Sequence, residues 1–309
     1  MRNSKRSAKR PVFKFIGSIS FCAVLFLIFA GMNMAEVAQK SAPQATQLPL
    51  KYKDYNIVLV SFDALQAAHV HSLGYPKDIT PTLDAMAKEG FSFTNDISVA
   101  SWTVPASMTW FTGVYPSDHK LVNKFSVYNP PVTKLANLKE LSPDLVTLAE
   151  VLKKNGYATG GFTGNAGVSG GFGYGQGFDV YFFEKGKFGS MEQSIPKALE
   201  WLTVNKDKKF FLFLHGYDIH GQNTPAAGFD YRFVDKGYDK KYTGSKQEQE
   251  ALREEGLAKG ELTLRDEDVR FWRAIYDEKI NRTDALFKNF LAEFDKLKLT
   301  GKKIGRAHV

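Results

Sequence analysis

Short apolar runs alternate with amphipathic segments beyond residue 55, and this alternation limits the folds that the chain can adopt. The runs NIVLVS at 56–61 and FFLFLH at 210–215 have the length and composition of buried strands. Further strands are predicted at 91–97 and 157–163, and helices at 81–90, 142–155, 191–205 and 266–297. Strands without a polar face, separated by helices, are typical of an α/β fold with a mainly parallel sheet flanked by helices.

The N-terminus has the pattern of a membrane anchor. Residues 1–14 form a basic flank, and residues 15–34 are apolar over a length that can cross a bilayer as one helix. The flank should remain cytoplasmic, which makes the protein membrane-anchored with its domain extracytoplasmic, in the periplasm or outside the cell. A cleaved signal peptide is the alternative, although neither Ala35 nor Ala38 ends a small-x-small cleavage site.

The remaining chain divides into a linker and one domain. Residues 35–54 are polar and contain proline, as expected of a spacer, and the domain spans 55–309. Within it, residues 222–260 interrupt the strand and helix alternation, and we interpret them as a surface insertion.

Charge and cysteine content exclude several functions. Residues 1–50 hold seven of the 41 Lys and Arg residues and one of the 33 Asp and Glu residues, which leaves 34 basic and 32 acidic residues beyond. A nearly neutral domain gives no electrostatic basis for binding nucleic acid. The single cysteine, Cys22, lies in the apolar segment, so the domain has no disulfide and no cysteine nucleophile.

Three positions in the domain are candidates for chemistry. Asp63 and His215 follow strands, and ligands of parallel sheets bind outside the carboxyl ends of the strands. Asp63 could bind a hard cation, or cap a helix or bond within its loop. Thr103 stands before Pro105 at a predicted helix start, where an anion is favoured, although an ordinary helix cap explains the same pattern.

Several ordered motifs together resemble the N-terminal half of the sulfatase family, in the alkaline-phosphatase-like superfamily. They are NIVLVSFD at 56–63, GYPKDITPTLD at 74–84, Thr103-x-Pro105 with Thr112-Gly113 and Tyr115-Pro116, GYAT at 156–159, GYGQGFD at 173–179 and FLFLHGYDIH at 211–220. The resemblance covers residues 55–300.

The resemblance implies a site that departs from the usual sulfatase pattern. Asp63 matches the first metal-binding aspartate, and Ala64 stands where many sulfatases have a second one. Thr103 matches the Cys or Ser that sulfatases convert to formylglycine, and Ser107 matches the arginine of that signature. Threonine is not a substrate for that conversion, so formylglycine chemistry is not expected.

Superfamily members that use an unmodified Thr or Ser are phosphatases and phosphotransferases. The resemblance therefore implies a metal-dependent hydrolase or transferase of sulfate or phosphate esters. Thr103 would be the nucleophile and a metal ligand with Asp63, for Ca²⁺ or Mg²⁺ or alternatively Mn²⁺. His220 would contact the ester oxygens as an acid or hydrogen-bond donor, or be structural. Asn165 and His215 would bind substrate.

The C-terminus departs from the family pattern. Residues 302–309 read as neither an apolar strand nor the Ser-Asp-His-Gly block that supplies the remaining metal ligands in the family. We therefore expect a C-terminally truncated domain. A membrane-tethered fragment or pseudoenzyme that only binds ligand is the alternative function.

Overall fold

The computed structural model describes residues 55–122, 140–184, 188–221 and 229–299, and the backbone of a strand at 304–308. The predicted basic flank, membrane segment and linker at 1–54 lie outside these ranges. Among the residues that the structure describes, no helix combines the length and apolarity needed to cross a membrane.

Within the described ranges, five strands form one sheet, and every pair of neighbours runs parallel. The strand order across the sheet is β3-β2-β4-β1-β5. The strands are β1 (Asn56–Phe62), β2 (Ala158–Thr163), β3 (Val180–Phe183), β4 (Phe210–Gly216) and β5 (Ile304–His308). The predicted parallel α/β sheet is therefore confirmed.

Helices cover the sheet on both faces. They are α1 (Pro81–Glu89), α2 (Thr103–Thr112), α3 (Pro116–His119), α4 (Leu148–Lys154), α5 (Met191–Asn205), α6 (Lys246–Lys259) and α7 (Asp266–Lys296). Helices α1, α5 and α7 build the main hydrophobic core with β1 and β4, and α2 and α4 lie on the opposite face.

The alternation of side chains along β4 separates the two faces. Phe210 packs against Phe294 of α7, with ring centroids 6.3 Å apart. Phe213 points the other way and packs edge-on against Phe111 of α2, with centroids 5.0 Å apart. Because strand side chains alternate with a period of two, His215 emerges on the α2 face at the carboxyl end of β4.

Two predicted elements differ from the structure. Residues 91–97 form no strand: Phe91 is 96% exposed and Ile97 80% exposed, and an extended segment without a hydrogen-bonded neighbour is not a sheet strand. The helix predicted from Ser142 begins only at Leu148. Its start is set by a capping box between Thr147 and Glu150, which satisfies the first backbone donors there.

The C-terminal residues and the predicted insertion also contain more structure than expected. Residues 302–309 read as no apolar strand, and within them the structure has the mixed-composition strand β5, which pairs in parallel with β1 from Asn56 to Val60. Exposed backbone groups at the β1 edge can pair with a neighbouring strand of any hydropathy. Such a strand cannot be recognised from apolar runs in the sequence. The segment 222–260 contains α6, which begins at a capping box of Ser245 and Glu248. Residues 222–228 lie outside the described ranges.

Candidate active site

Asp63 is held at the carboxyl edge of the sheet by neighbours on β4 and α7. Its backbone N–H donates to the carbonyl of Gly216 at 3.2 Å. The next residue, Ala64, has a φ of 63°, a left-handed conformation that is unfavourable for alanine. The Tyr276 hydroxyl of α7 donates to the Ala64 carbonyl at 2.6 Å and thereby holds this turn. The surrounding structure thus imposes the backbone geometry that directs Asp63.

Thr103 lies at the N-terminus of α2, next to Asp63. It is the first residue of the helix, and the extended backbone of Trp102 occupies the capping position in front of it. The Thr103 hydroxyl donates to Oδ2 of Asp63 at 3.0 Å. Unpaired backbone N–H groups and the helix dipole make this helix end favourable for an anion. The hydroxyl, the carboxylate and the helix end are therefore in one place.

His215 completes a cluster of three side chains with Asp63 and Thr103. Strand pairing places His215 opposite Ser61, two residues before Asp63, and its Nε2 lies 3.4 Å from Oδ2 of Asp63. The His215 side chain is 1% exposed, and neither ring nitrogen has a hydrogen-bond partner within the described part of the chain. A buried imidazole without a partner is unfavourable, so this ring is suited to a ligand that is bound beside Asp63.

His220 follows β4 and lies beside the cluster. Its backbone N–H donates to the Tyr217 carbonyl at 3.1 Å, and its ring stacks on Phe188 with centroids 5.2 Å apart. Burial lowers the pKa of His220, while the negative charge of Asp63 opposes that effect. A neutral imidazole can donate one hydrogen bond but is a poor source of a full proton, so His220 is better suited to donate a hydrogen bond.

The loop that carries His220 is fixed to the start of α5. Oδ2 of Asp218 accepts a hydrogen bond from the backbone N–H of Met191 at 2.9 Å. Burial raises the pKa of Asp218 to about 6. A carboxyl group at the first turn of α5 also satisfies a backbone donor of that helix.

Asn165 follows β2, in a loop whose residue Gly167 lies against Thr103. Its backbone N–H donates to the Phe188 carbonyl at 2.7 Å. Gly167 of this loop lies so close to α2 that a Cβ built on it would be 3.0 Å from Cβ of Thr103. Across the described residues, no hydrogen bond joins the Asn165 side chain to Thr103 or Asp63. The structure places Asn165 at the same edge as the cluster, and its binding role stays a prediction.

Ser107, at the position that resembles the family's arginine, belongs to a buried neutral network. Its hydroxyl donates to the Thr103 carbonyl at 2.6 Å and lies 2.6 Å from the Tyr174 hydroxyl. Tyr174 in turn donates to the Val104 carbonyl at 2.9 Å, and burial raises its pKa well above the usual range. The first turn of α2 is therefore held without a cation.

Two residues of α7 are part of this region although no sequence pattern indicated them. Tyr276 holds the turn at Ala64, and the Lys279 Nζ donates to the backbone carbonyl of His220 at 3.4 Å. On sequence alone a lysine in a long amphipathic helix is normally a surface residue. Only the burial of Lys279, at 7% exposure, shows otherwise.

Three described side chains could supply part of the ligand set of a metal ion. Asp63 offers a carboxylate, Thr103 a hydroxyl and His215 a buried nitrogen without a partner. Carboxylate and hydroxyl oxygens suit Ca²⁺ or Mg²⁺, and an imidazole nitrogen suits transition metals. Among the residues that can be described, no group of three or more His, Cys, Asp or Glu side chains is arranged to hold a metal ion.

Comparisons with known proteins agree with the fold. Arylsulfatase A of Bos taurus is 35% identical over 105 residues, which are 34% of this chain and 19% of the bovine protein. The N-acetylgalactosamine-6-O-sulfatase of Bacteroides thetaiotaomicron is 29% identical over 133 residues, 43% of this chain and 23% of that protein. The phosphonate monoester hydrolase of Agrobacterium radiobacter superposes with a TM-score of 0.59 at 15% identity, over 82% of this chain and 62% of that one.

The matched length limits what these relatives imply. The chain aligns with about a fifth of each of the two sulfatases and spans less than two thirds of the solved hydrolase. The sequence model of the sulfatase family itself matches residues 55–301, which is most of the chain. This protein belongs to the sulfatase family.

Proposed function

We propose that the protein is a hydrolase or transferase of sulfate or phosphate esters with Thr103 as its nucleophile. The observation that carries the proposal is the 3.0 Å hydrogen bond from the Thr103 hydroxyl to Asp63, at a helix N-terminus and beside the unpartnered ring of His215. A hydroxyl paired with a carboxylate at an anion-binding helix end is an arrangement suited to attack on an anionic ester.

The reaction can be written with the residues of this cluster. Oγ1 of Thr103 forms a bond to sulfur or phosphorus while the bond from that atom to the leaving oxygen breaks. The electron pair of the broken bond remains on the leaving oxygen. Asp63 takes the proton of the Thr103 hydroxyl, and the leaving alcohol takes up one proton, so the protons balance. Attack by water on the resulting Thr103 ester gives hydrolysis, and attack by an alcohol gives transfer.

The two histidines have separate tasks in this proposal. His220 is kept neutral by burial, and donates a hydrogen bond to an ester oxygen. His215 presents a buried ring nitrogen beside Asp63, where it binds either the ester or a metal.

A divalent cation would be held by Asp63 and Thr103, with His215 next to them. When bound, such an ion lowers the pKa of a hydroxyl and shields the charge of an anionic ester. Ca²⁺, Mg²⁺ and Mn²⁺ are the candidates. Formylglycine has no place in this proposal because position 103 is threonine.

Family membership and the residue at position 103 favour different esters. The sulfatase relatives support a sulfate ester. An unmodified threonine supports a phosphorus ester, and the superposed phosphonate monoester hydrolase shows that the same fold occurs in an enzyme for such compounds. The covalent ester formed on Thr103 distinguishes the two.

Covalent labelling tests the proposal. The protein is incubated with p-nitrophenyl sulfate or bis(p-nitrophenyl) phosphate in the presence of each cation, quenched in acid and analysed by mass spectrometry of the peptide containing Thr103. We expect a sulfate or phosphate ester on Thr103, which is retained in Thr103→Ser and absent in Thr103→Ala. Ser101→Ala, which removes an exposed hydroxyl two residues away, is the control. Ester cleavage that is unchanged in Thr103→Ala would contradict the proposal.

A second candidate is a ligand-binding protein or pseudoenzyme. It is favoured by the incomplete metal-ligand set within the described ranges. It is also favoured by Ala64, where many sulfatases have a second metal-binding aspartate, and by Ser107, where the family signature has an arginine. This candidate predicts substrate binding by calorimetry with neither labelling nor turnover.

We also infer that residues 15–34 hold the domain at a membrane with residues 55–309 outside the cytoplasm. The inference rests on the apolar run and its basic flank. Protease added to intact cells or spheroplasts should degrade the domain, and its complete protection there would contradict this orientation.

A further inference from the structure

Lys279 is a buried cation that has no counter-charge among the residues the structure describes. It is 7% exposed, and of the lysines and arginines in the described ranges it alone is buried. Its ammonium group has three donors, and the single hydrogen bond found for it in that part of the chain is to the backbone carbonyl of His220 at 3.4 Å. No described carboxylate lies within 4.0 Å of its Nζ. Such a charge is costly to bury unless an anion pairs with it.

The position of Lys279 relates it to the candidate active site. The Lys279 Nζ donates to the backbone carbonyl of His220 at 3.4 Å, and the charges of Lys279 and Asp63 shift the pKa of the His220 ring in opposite directions. The cation therefore lies on the His220 side of the cluster of Asp63, Thr103 and His215.

The helix turn that carries Lys279 is held firmly by the loops around the site. The three preceding residues bond two loops. Tyr276 bonds the Ala64 carbonyl and Asp277 the Tyr75 hydroxyl in the loop after β1, and Glu278 bonds the backbone N–H groups of residues 230 and 232. The helix backbone that carries Lys279 is consequently held in place before any ligand binds, which reduces the entropy lost on binding.

The nucleophile helix provides no cation of its own. The α2 sequence TVPASMTWFT contains neither lysine nor arginine. Ser107, which occupies the place of an arginine in the family resemblance, is bonded to Tyr174 and to the Thr103 carbonyl. An anionic ester at Thr103 would therefore find no positive side chain on α2.

We propose that Lys279 forms an oxyanion subsite next to His220 and binds an anionic oxygen of the substrate. This proposal rests on the proposed function, and it assigns to α7 the positive charge that α2 lacks. The oxyanion is either the sulfate or phosphate group that is cleaved or a second anionic group on the organic part of the substrate.

Binding of inorganic sulfate to the full chain tests the subsite. Equilibrium dialysis with radiolabelled sulfate, in the presence of a metal chelator, measures anion binding without turnover. We expect Lys279→Met to lower sulfate affinity at least about tenfold, because the one buried cation of the described residues is lost, and Lys279→Arg to stay within about threefold of the wild type. Lys288→Met, an exposed lysine on the same helix, is the matched control and should not change the affinity.

The pH dependence gives an independent readout. Burial lowers the pKa of Lys279 to about 8. Sulfate keeps its charge between pH 7 and 10, so its affinity for the wild type should fall as pH rises through this range, because Lys279 loses its proton. The affinity of Lys279→Arg should stay level. His220, Asp63 and His215, the other titratable groups on this side, are present in both proteins, and the pKa of His220 is already below its usual value.

Thermal melting without anions separates binding from a structural role. A buried charge that awaits a ligand destabilises the free protein, so Lys279→Met should melt at the same temperature as the wild type or higher. A sulfate affinity equal to that of the wild type in folded Lys279→Met, or no sulfate binding by the wild type, would overturn the proposal. If Thr103 is nevertheless labelled by substrate, the proposed function stands without the subsite. If sulfate binding depends on Lys279 but Thr103 is never labelled, the proposed nucleophile is wrong and the subsite stands.

Asp63→Asn identifies which oxyanion Lys279 binds. Sulfate that lies beside Thr103 is repelled by the Asp63 carboxylate, so the Asn variant should bind it more tightly. An unchanged affinity in this variant assigns the subsite to a second anionic group of the substrate. Either assignment applies only if Lys279→Met weakens sulfate binding.

Discussion

At the scale of single residues, Gly167 sets how closely the loop after β2 approaches Thr103, the proposed nucleophile. A Cβ on this residue would lie 3.0 Å from Cβ and 3.1 Å from Cγ2 of Thr103, and 3.1 Å from the Tyr217 hydroxyl. These distances are shorter than ordinary van der Waals contact, so the loop and Thr103 must move apart if position 167 carries a side chain.

We expect Gly167→Ala to slow labelling of Thr103 by about tenfold or more, because small displacements of a reacting group are costly. Gly171→Ala is the matched control: it lies in the same loop, and the nearest atom to its Cβ would be Oγ of Ser169 at 3.6 Å. Equal labelling rates for the two variants, measured by quenched-flow mass spectrometry, would show that this packing does not position the nucleophile.

At the scale of elements, α7 organises the loop that leads away from Asp63. Asp277 is fully buried and accepts hydrogen bonds from the Tyr75 hydroxyl at 2.8 Å and from Lys77 Nζ at 2.7 Å, and it lies 2.8 Å from Nδ1 of His69. The same helix bonds the Ala64 carbonyl through Tyr276. One helix turn thus holds both ends of the loop.

We expect Asp277→Ala to lower the free energy of unfolding by about 2 to 3 kcal/mol, because three polar groups lose a buried partner. The Lys77 side chain is 42% exposed, so its ammonium group can be hydrated in the variant. The loss of stability is therefore smaller than for a fully buried ion pair. Urea unfolding measures the effect. Asp295→Ala, an exposed position on the same helix, should change stability by less than about 0.5 kcal/mol. Equal midpoints for the two variants would show that α7 does not stabilise this loop.

At the scale of the whole molecule, the described residues bring together few metal donors. Ca²⁺ and Mg²⁺ require six or more ligands, whereas Asp63, Thr103 and His215 provide three groups. We expect calorimetry of the 309-residue chain with Ca²⁺, Mg²⁺ or Mn²⁺ to give a Kd of about 1 mM or weaker. Asp63→Ala is the control and should abolish the remaining heat. Micromolar binding that depends on Asp63 would show that residues outside the described ranges complete the site.

Much of this architecture could be predicted from local patterns. The apolar runs at 56–61 and 210–215 become β1 and β4, because a continuous apolar strand can only be buried on both faces. Parallel strands share one carboxyl edge, so Asp63 and His215 were expected at the same place, and the structure puts them 3.4 Å apart.

Other features depended on contacts that no local pattern contains. The segment 91–97 is exposed rather than a strand, whereas the segment 304–308 pairs with β1, because a strand exists only where a neighbouring edge offers hydrogen bonds. The burial of Lys279 likewise depends on the His220 loop that covers it, across 59 positions of sequence. The sequence by itself determined the buried strands β1, β2 and β4 and the family. The tertiary structure decided which side chains meet at the site. Packing joins residues that are far apart along the chain, and no periodic sequence pattern marks such pairs.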